Sequence, residues 1–174
     1  MTSISIRPAG PADVPAITKI YASAVLTGTA SFEVEPPDEA EMARRQRVLL
    51  DRGYPYLVAE QLNVVVGYAY AGPYHARPAY RWTVEDSVYV SPQAHRRGVG
   101  RALLNRLIEE CEARGFRQLI AVIGDPQQGA SIALHRASGF RLVGTFEAVG
   151  FKFGRWLDTA QMQRRLGPGA SAAP

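Results

Sequence analysis

The feature that most constrains the fold of this 174-residue chain is a strand that passes through a glycine-bearing turn into a helix. Residues 88–90 (Val-Tyr-Val) end at a Ser91-Pro92 break, and a basic group leads into Gly98 and Gly100. A second apolar run, 118–123, follows the helix. A strand, a helix and another strand in this order form a right-handed crossover, so the two strands lie parallel. The stretch therefore predicts an α/β sheet built around this crossover.

The turn into the helix also has the properties of an anion site. The first backbone N–H groups of a helix have no partner inside it, and the helix dipole leaves partial positive charge there. Glycines allow close approach of an anion, while Arg96, Arg97 and Arg101 supply charges suited to phosphate oxygens. No Gly-Lys-Ser/Thr follows, and the third glycine of a dinucleotide fingerprint is missing. We interpret the stretch as a pyrophosphate cradle; on spacing alone, a surface turn with a solvated basic cluster is the alternative.

Hydrophobic periodicity predicts the remaining elements. The apolar run 118–123 is typical of a strand buried on both faces. The residues after Leu166 predict a flexible tail, 167–174, behind a single domain, 1–166. Strands are predicted near 4–7, 56–60, 64–71, 83–90, 118–123, 140–146 and 156–166, and helices at 14–27, from Asp38 to about Gly53, from Gly98 to about Arg114, and at 131–138.

Composition narrows the class of protein. With 47% hydrophobic and 21% charged residues, the chain has an ordinary globular composition, and its formal charge of +4 predicts an anionic partner. The arginines cluster at one loop, which disfavours a broad nucleic-acid footprint. No apolar run reaches membrane-spanning length and no signal peptide is evident, so we expect a cytoplasmic protein.

The cysteine and histidine residues indicate whether disulfides or metal sites are expected. The single cysteine, Cys111, excludes an intrachain disulfide and lies in phase with Leu104, Leu107 and Ile108 on a helical face, so we expect it in the core. His75 and His95 have no metal-ligand spacing with His135, and we predict no metal site.

The string Val-Tyr-Val-Ser-Pro followed by Arg-Arg-Gly-Val-Gly-Arg-Ala-Leu-Leu resembles the acyl-coenzyme A loop of the GCN5-related N-acetyltransferase (GNAT) superfamily. That motif is Gln/Arg-x-x-Gly-x-Gly/Ala, and His95 stands where the superfamily usually has Gln or Arg. The resemblance covers essentially the whole chain. It implies acetyl-CoA as cosubstrate and a mixed, mostly antiparallel seven-stranded sheet with a parallel, splayed central pair, flanked by about four helices.

A closer resemblance rests on several separated blocks: Tyr68 to Pro73, Ala76-Arg77, Tyr80 to Pro92, His135-x-x-x-Gly-Phe140 and Gly150 to Trp156. Together they resemble the phosphinothricin (methionine sulfoximine/sulfone) N-acetyltransferase family. This family acetylates the α-amine of small glutamate- or methionine-like amino acids, and its members are usually homodimers. The resemblance thus implies a small amino-acid acceptor and a homodimer.

The resemblance also implies roles for individual residues, which are assigned here by matching their positions to the family's motifs. Glu85 and His135 fall on the family's proposed base residues, and His135 also stands where many acetyltransferases have a tyrosine that protonates the leaving thiolate. Gln128 takes the place of a cofactor-binding asparagine. The cofactor set is Val88, Tyr89, Val90, Arg96, Arg97, Gly98, Val99, Gly100, Arg101 and Gln128; the acceptor pocket is Phe32, His75, Ala76, Arg77, Tyr80, Glu85, Asp86 and Ser87.

The chemistry of acyl transfer to an amine requires a neutral amine and a polarised carbonyl. At neutral pH a lysine amine costs about 4–5 kcal/mol to deprotonate, whereas an α-amine costs only roughly 1–1.5 kcal/mol. A modest base such as Glu85 is therefore enough, unless Glu85 is simply a solvated or ion-paired charge. Arg77 could pair bidentately with an acceptor carboxylate. Main-chain N–H groups near Val88 to Val90, where we expect a bulge, would polarise the carbonyl.

Three functions remain open at this point. One is an acetyltransferase acting on a small amino acid or a toxic analogue. A second keeps the cofactor but takes a polyamine, an aminoglycoside or a protein N-terminus as acceptor. The third is a non-catalytic module that binds coenzyme A or nucleic acid through the basic loop. For His135, the alternative to a catalytic role is a helix histidine paired with a backbone carbonyl.

Overall fold

The computed structural model describes residues 3–174, apart from the side chain of Gln128. These residues form four α-helices and seven strands in a single domain. The helices are α1 (Val14–Thr27), α2 (Glu39–Asp51), α3 (Val99–Ala113) and α4 (Ala130–Ala137); the strands are β1 (Ser5–Pro8), β2 (Tyr56–Gln61), β3 (Val64–Pro73), β4 (Thr83–Val90), β5 (Gln118–Gly124), β6 (Arg141–Lys152) and β7 (Arg155–Arg165).

One mixed sheet runs through the domain in the order β1-β2-β3-β4-β5-β7-β6. Its neighbours are antiparallel except at the centre, where β4 and β5 lie parallel, as the crossover predicted. That pairing is short, extending from Thr83↔Gln118 to Glu85↔Ile120. Beyond Glu85 the two strands part, which confirms the predicted splayed pair and opens a cleft at their carboxyl ends.

Two apolar cores pack on opposite faces of the sheet. On one face the predicted stripe of α3 is buried, and Cys111 lies within it as a free thiol. On the other face α1 and α2 cover a tyrosine-rich surface of β2, β3 and β4. The α3 stripe consists of Val99, Leu103, Leu104, Leu107, Ile108 and Cys111.

The second core stops at β4, so β5 is not covered on that face. Leu119, Ala121 and Ile123 are buried, but Val122 is 39% exposed. The expectation that β5 is buried on both faces is therefore wrong. Because paired residues of neighbouring strands share a face, the register Glu85↔Ile120 puts Glu85 on this open side.

Two further expectations from the sequence are corrected. The register of β3 and β4 runs without a shift from Gly67↔Val90 to Pro73↔Val84, so β4 has no bulge against β3. Strand β6 does not end near Phe146 but continues to Lys152, because a register shift between Phe146 and Gly150 absorbs the irregular residues. It therefore forms a long hairpin with β7.

The segment after Leu166 makes specific contacts with the domain. Gly169 is buried and its amide donates to the Leu166 carbonyl. The Arg117 guanidinium donates through Nη2 to the carbonyl of Ala173 at 3.2 Å.

Candidate active site

The predicted cradle is a loop at the N-terminus of α3, and we call residues 95–101 the anion cradle. Gly98 is the N-cap residue in the left-handed region, with φ of 83°, and no side chain caps the helix. The first helical bond is that from the Ala102 amide to the Gly98 carbonyl. The amides of the three preceding residues therefore have no partner within the helix, and Arg96, Arg97 and Arg101 lie exposed around them.

Close packing behind the cradle explains its second glycine. A Cβ at Gly100 would lie 3.4 Å from Cδ2 of Leu134 and 3.6 Å from Cγ2 of Val90. Gly100 therefore lies where α3, α4 and β4 meet. A branched side chain at Gly100 would have to displace α4 or occupy the space next to the unpaired amides at the N-terminus of α3.

The splay of β4 and β5 frees main-chain groups next to the cradle. The Ser91 amide donates to Val66 on β3, and backbone groups alternate in direction along a strand, so those of Val88 and Val90 point toward β5. They lie beyond the last β4–β5 pair, Glu85↔Ile120. Nε2 of His95 is 2.9 Å from the Val90 carbonyl, so this histidine reaches the cleft.

Glu85 lies on the open face of the sheet. Burial, with a smaller contribution from the nearby Asp86 carboxylate, raises the pKa of Glu85 to about 7. Tyr70 on β3 is close enough for Glu85 to raise its pKa, although burial is the main cause, and Tyr70 also hydrogen-bonds Ser87. A carboxyl group in this state is half ionised near neutral pH and can accept a proton from an amine.

Asp86 lies on the opposite face from Glu85, because successive side chains of a strand alternate. Its carboxylate is buried against α4, where Oδ2 lies 2.9 Å from Nε2 of His135. Nδ1 of His135 donates to the Ser131 carbonyl at 2.7 Å. The structure thus separates Asp86 from Glu85 and Ser87, the residues with which it was expected to line the acceptor pocket.

Both ring nitrogens of His135 are hydrogen-bonded, and its side chain is only 4% exposed. Burial alone would lower the pKa of His135, but the hydrogen bond and charge of Asp86 outweigh it and raise the pKa above 6.5. Phe140 packs edge-on against the ring, with 4.9 Å between centroids. The contact with a backbone carbonyl matches the alternative that the sequence left open for this histidine.

The predicted acceptor residues fall into two groups. The ring of Phe32 lies against Gly124, at the end of β5 and on the same face as Glu85. His75 and Tyr80 pack edge-to-face in an exposed loop after β3, with 4.8 Å between ring centroids. Ala76 and Arg77 are exposed in the same loop, which begins where Pro73 pairs with Val84 beside Glu85.

Sequence reasoning missed Lys152, which is 5% exposed on β6. Its Nζ donates to the carbonyls of Gly28 and Ser31, at 2.9 and 2.7 Å. Its signal in the sequence is a lysine between two phenylalanines in the Gly150 to Trp156 block, in a strand that extends beyond its predicted end. One predicted cofactor residue, Gln128, has a side chain that lies outside the described part of the chain.

Among residues 3–174, no three His, Cys, Asp or Glu side chains form a group that could hold a metal ion. None of the helices in this part of the chain has the length and apolar character needed to cross a bilayer.

Comparison with known proteins gives the family. A model of the acetyltransferase (GNAT) family matches residues 17–140. The chain is 56% identical over 162 residues to the phosphinothricin N-acetyltransferase of Alcaligenes faecalis, covering 93% of this chain and 82% of that protein. It is 43% identical over 171 residues to the L-methionine sulfoximine/L-methionine sulfone acetyltransferase of Pseudomonas paraeruginosa, covering 98% of this chain and 99% of that protein. The chain therefore belongs to the GNAT family of acetyltransferases.

A solved structure extends this match to three dimensions. The phosphinothricin acetyltransferase from Sinorhizobium meliloti, in complex with AcCoA, superposes on the chain with a TM-score of 0.96 at 52% identity. The match covers 100% of this chain and 94% of that one. The whole domain, including the splayed centre of the sheet, is thus shared with a GNAT acetyltransferase.

Proposed function

We propose that this protein transfers the acetyl group of acetyl-CoA to the α-amine of a small amino acid or amino-acid analogue. The observation that carries the proposal is a carboxyl group with a pKa of about 7, Glu85, placed beside a splayed strand pair that ends at the anion cradle. The named substrates of the relatives, phosphinothricin and methionine sulfoximine, support an acceptor of the α-amino acid class.

The residues present suit acetyl-CoA. The free amides at the N-terminus of α3 and the exposed Arg96, Arg97 and Arg101 suit a diphosphate. The main-chain groups of Val88 and the amide of Val90 suit the amide-bearing arm that follows it, as an added strand in the cleft, while the Val90 carbonyl is bonded to His95. Acetyl-CoA, when bound, supplies a thioester carbonyl that an amine can attack.

Glu85 is the general base in this proposal. An α-amine near pKa 8 needs only a weak base at neutral pH, and a carboxylate with a pKa near 7 is a better base than an ordinary glutamate. Glu85 accepts the ammonium proton, directly or through a water molecule, and shares the open face of the sheet with Phe32. We favour Glu85 over His135 because both nitrogens of His135 already have partners.

Arg77 is proposed to recognise the acceptor carboxylate. It is exposed in the loop that begins beside Glu85, and a guanidinium can bind a carboxylate through two parallel hydrogen bonds. His75, Ala76 and Tyr80 in the same loop would complete that side of the pocket. Such a site favours acceptors that carry a carboxylate next to the amine over polyamines.

The proposal includes a homodimer in the cytoplasm, where acetyl-CoA is available. Its structural support is the β6–β7 hairpin, whose exposed apolar residues include Phe146, Val149, Phe151, Phe153 and Trp156. An apolar patch of this kind on a folded domain is typical of a protein–protein interface. We expect no nucleic-acid partner, because the exposed arginines of the cradle are accounted for by a diphosphate.

The test is a thiol-release assay with acetyl-CoA and a panel of acceptors. The panel contains phosphinothricin, methionine sulfone, methionine sulfoximine, common amino acids, spermidine, an aminoglycoside and a peptide with a free N-terminus. We expect turnover of the first three and of any common amino acid that fits the pocket, and weak or no release with spermidine, the aminoglycoside and the peptide. Preferred turnover of spermidine or the peptide would overturn the acceptor class.

Two titrations test the non-catalytic alternative. Acetyl-CoA should bind saturably, whereas duplex DNA should bind negligibly at either of two salt concentrations. Strong, salt-dependent DNA binding without thiol release would contradict the proposal.

A further inference from the structure

The loop between α1 and α2 carries Phe32 and is fixed at both ends, and we call residues 28–37 the acceptor loop. Near the middle of the loop, the Tyr21 hydroxyl contacts Oγ of Ser31 at 2.9 Å and donates to Glu33 at 3.0 Å. Arg45 on α2 also donates to Glu33 at 2.6 Å. This part of the loop is therefore held by α1 and α2, the two helices that it connects.

The first half of the acceptor loop is held by the β6–β7 hairpin instead. The ammonium group of Lys152 donates to the carbonyls of Gly28 and Ser31, which bracket the turn before Phe32. The Thr29 hydroxyl donates to Asp125 at 3.2 Å, and Arg155 on β7 donates to the same carboxylate oxygen at 2.5 Å. Distant parts of the chain thus meet at one short turn.

Phe32 lies in a seat formed by two glycines. A Cβ at Gly124 would come within 2.7 Å of the Phe32 ring, and one at Gly150 within 2.3 Å. Both distances are shorter than any ordinary contact between carbon atoms. The ring therefore occupies the space of two absent side chains, one at the end of β5 and the other on β6, two residues before Lys152.

Lys152 has an unusual environment for a lysine. It is 5% exposed, and both hydrogen bonds that the structure shows for its amine are to main-chain carbonyls. Burial lowers the pKa of Lys152, while the charge of Glu33 opposes this effect. A buried cation is costly unless its donors are satisfied, so its position indicates a specific role at the acceptor loop.

We propose that Lys152 is a positioning residue for the acceptor: it fastens the acceptor loop to the β6–β7 hairpin so that Phe32 stays over the open face of β5 that carries Glu85. This inference rests on the proposed acetyl transfer and deepens it. Lys152 itself touches neither the acceptor nor acetyl-CoA. Its effect is on acceptor binding, because the cradle for acetyl-CoA lies at α3 and does not depend on this loop.

The first test is Lys152→Met, which keeps the length of the side chain and removes its donors. The matched control is Lys19→Met, since Lys19 is the one other lysine in the sequence and is exposed on α1. For Lys152→Met we expect the acceptor KM to rise about 10- to 100-fold, since misplacement by about 1 Å costs that much. The Kd for acetyl-CoA should stay within about twofold of wild type, a split that general destabilisation does not produce.

A second readout does not depend on turnover. Hydrogen exchange of the amides in the acceptor loop should accelerate at least about tenfold in Lys152→Met, with the amides of α3 unchanged. Faster exchange in an enzyme that acetylates no amino acid would uphold the role of Lys152 in fastening the loop and refute only the proposed function. Unchanged exchange and an unchanged acceptor KM would overturn the inference.

Gly150→Ala tests the same coupling without altering the lysine. The added methyl group would displace the Phe32 ring from its seat, and we expect the same rise in acceptor KM with the same Kd for acetyl-CoA. This variant carries the test even if Lys152→Met does not fold. A Gly150→Ala enzyme with wild-type acceptor KM would contradict the proposed link between the hairpin and the acceptor loop.

Discussion

At the scale of single residues, the pleat of β4 gives two adjacent carboxyl groups different environments. Glu85 faces the open side of the sheet, where burial holds its pKa near 7. Asp86 faces α4 and is bound to His135. The two acidic residues look equivalent in the sequence, but they differ in the structure. Glu85 can exchange protons near neutral pH, whereas Asp86 is fixed in a buried pair with His135.

The first prediction concerns the pH dependence of the rate. Because only ionised Glu85 accepts a proton, kcat/KM should fall about tenfold per pH unit below the Glu85 pKa of about 7. Glu85→Gln should lower kcat by about 10²–10⁴ and remove this limb, leaving only the ionisation of the acceptor amine near pH 8. Measurement of kcat/KM from pH 5.5 to 9 checks this, with acetyl-CoA affinity as control. A wild-type profile in Glu85→Gln would exclude Glu85 as the base.

The second prediction distinguishes His135 from Glu85. His135→Gln removes one partner of a buried pair and leaves Asp86 uncompensated, so the free energy of unfolding should fall by about 3 kcal/mol. At a temperature where the variant is folded, kcat should stay within about tenfold of wild type, far above Glu85→Gln. Denaturant unfolding and steady-state kinetics give both quantities.

The matched control is the double variant His135→Gln/Asp86→Asn, which buries no charge and should recover part of the lost stability. If His135→Gln instead loses as much kcat as Glu85→Gln while remaining fully stable, His135 takes part in the reaction directly.

At the scale of elements, the sequence predicted those whose patterns are local. The apolar stripe and glycine caps of α3 fix its position, and β4 matches its predicted limits, Thr83 to Val90. The expected end of β6 failed because a register shift depends on pairing with β7, which no local pattern shows. The burial of β5 failed because it depends on how far α1 and α2 extend across the sheet.

The same distinction applies to the candidate site. The anion cradle lies in one continuous stretch, so its residues could be identified together from the sequence. Lys152 could not, because its partners at Gly28 and Ser31 are about 120 residues away in the chain. Asp86 was placed with Glu85 in the acceptor pocket by the family resemblance, whereas the alternation of side chains along β4 puts it on the opposite face.

The third prediction concerns the packing of α3 against α4 and β4. In Gly100→Val the added methyl groups would extend beyond a Cβ that already contacts Leu134 and Val90. Displacement of the amides at the N-terminus of α3 should weaken acetyl-CoA binding at least about tenfold. Gly144→Val is the control, because Gly144 on β6 has open space around its Cβ position. Calorimetric titration with acetyl-CoA, without acceptor, decides the outcome; unchanged affinity in Gly100→Val would refute the cradle.

At the scale of the whole molecule, the two faces of the sheet carry different parts of the site. The face covered by α3 and α4 holds the anion cradle and the buried His135–Asp86 pair. On the other face, the hairpin of β6 and β7 holds the first half of the acceptor loop through Lys152. A change on the hairpin can therefore reach the acceptor side without disturbing the cradle.

The last prediction addresses the outer side of that hairpin. Phe151 and Trp156 pack edge-on at 5.2 Å between centroids, yet they are 57% and 65% exposed. If a second copy of the chain covers this patch, Phe151→Ser/Trp156→Ser should convert the dimer into a monomer in sedimentation velocity experiments, because contacts of large aromatic residues dominate interface energies. Leu62→Ser, in the exposed β2–β3 turn, is the control. The monomer should also show a raised acceptor KM, since Phe151 immediately precedes Lys152 on β6; a double variant that stays dimeric would place the interface elsewhere.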